Sequence, residues 1–151
     1  MLKNIVRKQY IAKFDQLKSS NKISRPNEGW VRTLRKALGM SISQLATRLC
    51  LSKSQVSQIE RMELEDRVSL KQLRRVADTM DCDLVYALVP RKSLSELIQD
   101  RAQLKAANLV NKTNAQMTLE AQQLNKDALR AHIEAETERL IKEMPRNLWD
   151  D

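Results

Sequence analysis

The stretch ISQLATRLCLSKSQVSQIER, from Ile42 to Arg61, decides the fold of this chain. Its apolar side chains recur three or four positions apart, the spacing that places side chains on one face of a helix. The stretch therefore predicts two short helices that are joined by a tight turn and share an inner apolar face. That face is formed by Leu45, Leu49, Leu51, Val56 and Ile59, and the small Ala46 lets the second helix cross the first closely.

The second predicted helix has a polar outer side. Ser52 precedes it as a favourable N-cap residue, and the outward positions are Lys53, Ser54, Gln55, Ser57 and Gln58. A helix with this surface suits the major groove of DNA, where donors and acceptors on base edges are read. The alternative is an ordinary helical hairpin with a solvated polar face. The cap, the small residue and the apolar positions together favour a DNA-binding helix-turn-helix.

The wider segment from Glu28 to Met80 resembles the Xre/Cro/cI family of phage-repressor-like DNA-binding domains. The resemblance lies in VRTLRKALGMSISQLATRLCLSKSQVSQIER, which is followed by SLKQLRRVADTM. It implies a lambda-repressor-like fold in which Gly39 ends the first helix. It also implies that Arg35 forms a structural ion pair with Glu60, late in the recognition helix.

Two residues depart from the pattern of that family. Cys50 occupies the position of the usual turn glycine, which often has left-handed backbone, so a non-glycine residue there costs on the order of 1 kcal/mol. Ile42 stands where the family often has a Gln or Thr that contacts a phosphate, so that contact is not carried over to this chain.

The resemblance also assigns roles to polar side chains, because phosphate contacts position a protein on DNA whereas base contacts read the sequence. By match to the family's positions, the base-reading residues are Lys53, Ser54, Gln55 and Gln58. The expected phosphate-contacting residues are Ser41, Ser52, Arg61 and Arg67.

Nearly the whole chain, including CDLVYALVPR and the closing LWDD, resembles mobile mystery protein A, an Xre-type family often encoded beside a Fic-domain protein. Two functions are therefore expected. The first is a dimeric sequence-specific transcriptional regulator, most simply a repressor on double-stranded operator DNA with two half-sites. The alternative is an antitoxin-like protein that binds and restrains a neighbouring Fic-type partner while it autoregulates its operon.

Composition indicates an all-α chain with two differently charged parts. Of 151 residues, 42% are hydrophobic, only 3% are aromatic and two are glycine, which favours helices over sheets. Residues 1–92 carry 19 Lys and Arg against 9 Asp and Glu, whereas residues 93–151 carry 8 against 10. A basic front part suits DNA, and a near-neutral back part suits contact with protein. The alternative is that the basic residues only form a solvated surface and bind no DNA.

Three regions are predicted along the chain. Residues 1–20 form an amphipathic helix, expected to pack on the domain that follows, with a dimer contact as the alternative. Its stripe consists of Leu2, Ile5, Val6, Tyr10, Phe14 and Leu17. Residues 28–90 form the helix-turn-helix domain and a following strand. Residues 91–151 form a helical interaction region, with a capping box at Ser93 and Glu96, a cap at Asn125 and a stop at Pro145.

The strand is predicted at residues 82–89, CDLVYALV, because β-branched and apolar residues occupy both faces. A single strand leaves its backbone groups unpaired, and no other convincing strand exists in the sequence. We therefore expect pairing with the same strand of a second copy across a two-fold axis. A short helix or a buried extended segment is the alternative. The dimer strand would contain Leu84, Val85, Tyr86, Ala87 and Leu88.

Other classes of protein are not expected. Cys50 and Cys82 lack a partner spacing with His132, the single histidine, so buried free thiols are predicted rather than a zinc site. No cofactor motif and no nucleophile–base arrangement is present, which argues against an enzyme. No apolar run approaches the roughly 18 residues of a membrane span. The N-terminus lacks a signal-peptide core, so a cytoplasmic protein is expected.

Overall fold

The computed structural model describes residues 2–18, 23–119 and 125–151, and in these ranges the chain is helical without any β-strand. The all-α prediction is therefore confirmed. The helices are α1 (Leu2–Lys18), α2 (Trp30–Ala37), α3 (Ile42–Leu49), α4 (Lys53–Leu64), α5 (Leu70–Thr79), α6 (Leu94–Leu119) and α7 (Lys126–Glu143), followed by a 3-10 turn (Arg146–Trp149). Each of the helices in these ranges is too short or too polar to span a bilayer.

The chain divides into two compact units. The described residues from Ile23 to Ala87, with α2 to α5, form one unit, which is called the reading unit below. Helix α1 and the residues from Leu88 onward form the other, called the helical unit. The sequence predicted that α1 packs on the domain that follows it, whereas the structure groups α1 with α6 and α7.

The reading unit has one apolar core, which includes the residues that the sequence placed on the shared inner face of the helix-turn-helix. Its fully buried members are Val31, Leu45, Ala46, Leu49, Val56, Ile59, Val76 and Met80. Leu38 and Leu70, by contrast, are exposed. Helix α2 ends at Ala37 and Gly39 takes a positive φ of 64°, so Leu38 lies where the chain leaves the helix.

Serine caps begin the helices of the helix-turn-helix. The hydroxyl of Ser41 accepts from the backbone of Gln44, and the side chain of Gln44 accepts from the backbone of Ser41. Ser52 and Gln55 form the same reciprocal pair at the start of α4. Each pair satisfies two backbone donors that a helix start leaves free. The starts of both helices are therefore set by local sequence.

The turn between α3 and α4 has the left-handed residue that the family resemblance implied. Cys50 lies at φ 55° and ψ 42°, a conformation that favours glycine. The prediction of a buried thiol is wrong for Cys50, whose side chain is exposed because the turn lies at the surface of the unit. Cys82 is half-buried.

In the helical unit, α6 and α7 pack side by side with the C-terminal turn. The buried residues are Ala102, Ala106, Leu140 and Leu148. The capping box at Ser93 and Glu96 and the cap at Asn125 are confirmed, and α7 ends before Pro145. Leu148 is buried in this cluster, while the neighbouring Trp149 is exposed. The guanidinium of Arg101 lies over the Trp149 ring, 5.9 Å from the ring centre.

Helix α1 has no buried residue, although its sequence predicts an apolar stripe that packs on a neighbour. Leu2, Ile5, Val6 and Tyr10 are all exposed. The helix contacts the start of α6, where the carboxylate of Asp15 accepts a hydrogen bond of 2.8 Å from the backbone of Leu94.

The predicted strand at residues 82–89 forms neither a helix nor a strand within the single chain. Val85 is 82% exposed and Leu88 is 79% exposed, and Tyr86 and Val89 are exposed as well. The alternatives of a short helix and of a buried segment are therefore wrong. Pairing with a second copy stays a prediction, since a single chain does not test it.

Candidate nucleic-acid interface

Helix α4 has one buried and one exposed side. Val56, Ile59, Glu60 and Glu63 are buried. The exposed residues comprise all four predicted base-reading residues together with Ser57 and Arg61, namely Lys53, Ser54, Gln55, Ser57, Gln58 and Arg61. Helical spacing places Ser54, Ser57, Gln58 and Arg61 together at the centre of the exposed side. Ser57, to which the sequence assigned no reading role, therefore lies among the candidate readers.

Some side-chain donors and acceptors in the first turn of α4 already bond within the protein. Gln55 accepts from the backbone N–H of Ser52 at 2.8 Å, so its amide nitrogen is the group left to contact a ligand. The hydroxyls of Ser52 and Ser54 lie 3.0 Å apart and share one hydrogen bond. One hydroxyl proton of the two is then free to donate, for example to a phosphate oxygen.

Gln58 differs from Gln55, since it has no hydrogen-bond partner among the described residues. Its amide retains both donors and the acceptor. A glutamine with both groups available can bond adenine through N6 and N7 at once, which is the geometry that discriminates adenine from other bases. The structure thus distinguishes the two glutamines chemically.

The predicted phosphate contacts lie at the ends of the reading unit's helices. Ser41 and Ser52 are the exposed N-cap residues of α3 and α4. Arg61 and Arg67 are both exposed. Each has a guanidinium nitrogen near the carboxylate of Glu65, at 4.0 Å for Arg61 and 3.2 Å for Arg67. Exposed ion pairs of this kind are weak, so both arginines are available to an anion. Ile42 is half-buried against the core and makes no polar contact.

The structure brings together Arg35 on α2 and Glu60 on α4. The guanidinium donates to both carboxylate oxygens, at 2.6 and 3.2 Å, and to the carbonyl of Met40 at 3.0 Å. The two residues are only 8% and 7% exposed. The hydrogen bond to Glu60 raises the pKa of the Arg35 guanidinium against the opposing effect of burial. The charged pair therefore holds the last turn of α2 against the reading helix.

Glu63 makes a second contact between the same helices, which the sequence did not reveal. Helix α2 starts at Gly29 without a side-chain cap. The Glu63 carboxylate accepts instead from the backbone N–H of Trp30 at 2.6 Å and of Val31 at 2.9 Å. A Cβ at Gly29, where φ is 83°, would lie 2.9 Å from that carboxylate. Glu60 and Glu63 thus hold α4 to both ends of α2.

Arg25 completes the arrangement at the end of the reading helix. Its guanidinium donates to the carbonyl of Glu63 at 2.9 Å and to the carboxylate of Asp66 at 2.6 Å. In the structure its charge lies at the C-terminal end of α4, where cations stabilise the helix dipole.

One sequence signal pointed to the role of Glu63. A helix that begins at glycine leaves its first N–H groups without a local acceptor, so an acceptor must come from elsewhere. Glu63 lies three residues after Glu60 and hence on the same face of α4. The predicted helix-turn-helix ends at Arg61, whereas α4 continues to Leu64 and so includes Glu63.

Replacing Glu63 by Ala is expected to lower the free energy of unfolding by about 1–3 kcal/mol, because two N–H groups at the start of α2 lose their acceptor. The midpoint of urea unfolding would measure this loss. Glu65→Ala is the matched control, since Glu65 is exposed near the end of the same helix. Equal midpoints for the two variants would contradict the capping role.

The comparisons with known proteins agree with this geometry. The family model described as Helix-turn-helix matches residues 31–86, the segment that contains the paired helices and their core. Residues 31–86 thus form a DNA-binding helix-turn-helix domain. The domain is of the Xre type, and the protein is a DNA-binding regulator. No curated protein and no solved structure shows a significant match to the chain.

Proposed function

We propose that the protein is a dimeric, sequence-specific transcriptional repressor that binds an operator of two half-sites. The observation that supports this proposal most strongly is the exposed polar side of α4. That side projects from a domain in which two buried carboxylates, Glu60 and Glu63, fix the helix against α2. A reading helix needs such support, because base contacts depend on its position to a fraction of an ångström.

The contacts are divided between reading and positioning. Lys53, Ser54, Gln55 and Gln58 are proposed to contact base edges, with Gln58 as the adenine reader and Gln55 as a donor only. Ser41, Ser52, Arg61 and Arg67 are proposed to contact phosphates. The support for this division is that all eight side chains are exposed and lie on or beside α3 and α4.

Gln58→Ala and Arg61→Ala are expected to weaken DNA binding in different ways. Loss of Gln58 should cost about 1–3 kcal/mol at the adenine it reads and leave other base preferences intact. Loss of Arg61 should weaken all sequences about equally, because a phosphate contact carries no sequence information. Competition binding with single-base operator variants, selected first from random duplex DNA, measures both effects.

Ser43→Ala is a suitable control for these variants, since the half-buried Ser43 lies on α3, off the exposed side of the reading helix. Its base preferences should match those of the unaltered protein. The proposed division of roles is wrong if Gln58→Ala and Arg61→Ala show the same pattern across the operator variants.

Dimerisation is proposed to use residues 82–89. One reading helix contacts only a few base pairs, whereas a dimer adds a second half-site about 34–36 Å away. The segment exposes Val85, Tyr86 and Leu88, which an antiparallel pair with a second copy would remove from water. Leu84 and Ala87 complete the proposed strand.

Tyr86→Pro is expected to shift the protein towards monomer and to lower operator affinity, because proline removes a ladder hydrogen bond. Sedimentation equilibrium gives the mass, and circular dichroism should show that most helical content is retained. Tyr86→Phe is the matched control and should remain dimeric. A proline variant that is still a dimer with full operator affinity would place the dimer contact elsewhere.

A second candidate function is an antitoxin-like protein that binds a neighbouring Fic-type partner and autoregulates its operon. The observation that favours it is the helical unit, which has its own core and is separate from the reading unit. The family resemblance implies a neighbouring gene for a Fic-domain protein. Mixing that protein with the full chain, followed by size-exclusion chromatography, tests this candidate. Separate elution of the two proteins would refute it.

A further inference from the structure

The helical unit contains a groove of about 480 Å³ that is lined by α1, α6 and α7. This volume lies within the range of roughly 300–1,000 Å³ that ligand sites commonly have. None of its lining residues belongs to the reading unit. The proposed DNA contacts therefore do not account for the groove.

The floor of the groove is apolar and incompletely covered. Ile11 of α1, Ile98 of α6 and Ile141 of α7 line it, and Met144 lies at the end of α7. All four side chains are half-buried, so each keeps part of its apolar surface in contact with water. An occupant with an apolar face would remove that surface from water, which is favourable.

The rim of the groove is positively charged. Arg7 and Lys8 on α1 and Lys142 on α7 line it, and no Asp or Glu is among the lining residues. Arg7 bonds the side chain of Asn4 at 2.5 Å, while Lys8 and Lys142 have no acidic partner within the described residues. Two of the three lining cations come from α1, which carries five basic residues against the single acid Asp15.

We propose that this groove binds an amphipathic helix of a partner protein, in which acidic residues flank an apolar stripe. An apolar stripe at helical spacing would meet the isoleucines, and the acids would meet Lys8 and Lys142, as in other helix-in-groove contacts. This inference rests on the second candidate function and names the chemistry of the partner segment.

Charge argues against a second copy as the occupant. Helix α1 carries Lys3, Arg7, Lys8, Lys13 and Lys18 against the single acid Asp15. Two such helices brought together at the groove would repel each other, whereas an acidic helix is attracted. The apolar floor likewise argues against a nucleic acid, whose backbone presents charge and no apolar stripe.

The test is a display selection of random 16-residue helical peptides on the full-length protein, with affinities then measured by fluorescence anisotropy. The selected peptides should have Leu or Ile at i, i+3 or i+4 and i+7, with Asp or Glu beside that stripe. The double variant Lys8→Glu, Lys142→Glu should bind them at least tenfold more weakly. Lys13→Glu, Lys126→Glu carries the same charge change on the same two helices outside the groove, and should bind them normally.

Several results would overturn the inference. Three of them are a failure to enrich any peptide, enrichment of peptides without acidic residues, and equal weakening of peptide binding by the two double variants. A fourth is a dimer that dissociates only in the Lys8, Lys142 variant, which would assign the groove to a second copy. Loss of binding to anionic vesicles in that variant alone would assign it to a membrane. Operator binding is measured on the same variants and should be unchanged, which separates failure of this inference from failure of the repressor proposal.

Discussion

Operator affinity is expected to fall by about 10³–10⁵-fold between 50 and 200 mM salt, because each phosphate contact made by a cation releases counterions from DNA. This range corresponds to roughly three to five phosphate contacts from each of two subunits. The exposed Arg61 and Arg67 provide cations in the last turn of α4 and just beyond its end. Binding titrations at four or five salt concentrations give the slope of log affinity against log salt.

The slope also tests individual residues. Arg61→Gln should reduce its magnitude by about 1 for each subunit, since one cation–phosphate contact is lost. Lys112→Gln is a control, because Lys112 lies on α6 in the other unit and should leave the slope unchanged. A flat salt response without sequence preference would contradict DNA binding through this surface.

The second large effect concerns the ion pair of Arg35 and Glu60. Arg35→Met is expected to lower the free energy of unfolding by about 3–5 kcal/mol, because it leaves the Glu60 carboxylate buried without its partner. Urea unfolding measures this loss. Lys92→Met is a matched control in an exposed pair, since Lys92 contacts Asp100 at 2.8 Å at the surface. That variant should unfold at nearly the same urea concentration as the unaltered protein.

The double variant Arg35→Met, Glu60→Leu should regain most of the lost stability, because no buried charge then lacks a partner. Its operator affinity should nevertheless stay below that of the unaltered protein, since the pair also orients α4 against α2. A double variant as unstable as Arg35→Met would contradict the electrostatic explanation. A double variant with full operator affinity would show that Glu63 alone is sufficient to orient the reading helix.

Much of the reading unit followed from sequence because the signals are local. Apolar residues at helical spacing indicated the inner face, and the N-cap residue Ser52 marked where α4 begins. The exposed side of α4 follows from the same spacing. Cys50 was expected in left-handed backbone from its place in the family pattern, and it has a φ of 55°.

The errors arose where a side chain's environment depends on residues far away in sequence. Glu63 caps a helix that starts 33 residues earlier, and it lies beyond Arg61, where the predicted helix-turn-helix ends. Leu148 rather than the neighbouring Trp149 is buried, because it packs in one cluster with Ala102 and Ala106 of α6. Amphipathicity likewise showed that α1 has an apolar stripe but not whether another element covers it.

By itself, the sequence determined the helical class of the protein, the place and polarity of the reading helix, and the caps that begin α4, α6 and α7, because these depend on residues within one or two turns of each other. Only the tertiary structure decided which charges are paired in the interior. It also decided which apolar stripe stays exposed and which helices form the basic-rimmed groove. These features depend on contacts between helices that are distant in the chain, and their free energy comes from burial and pairing that exist only once the helices have packed.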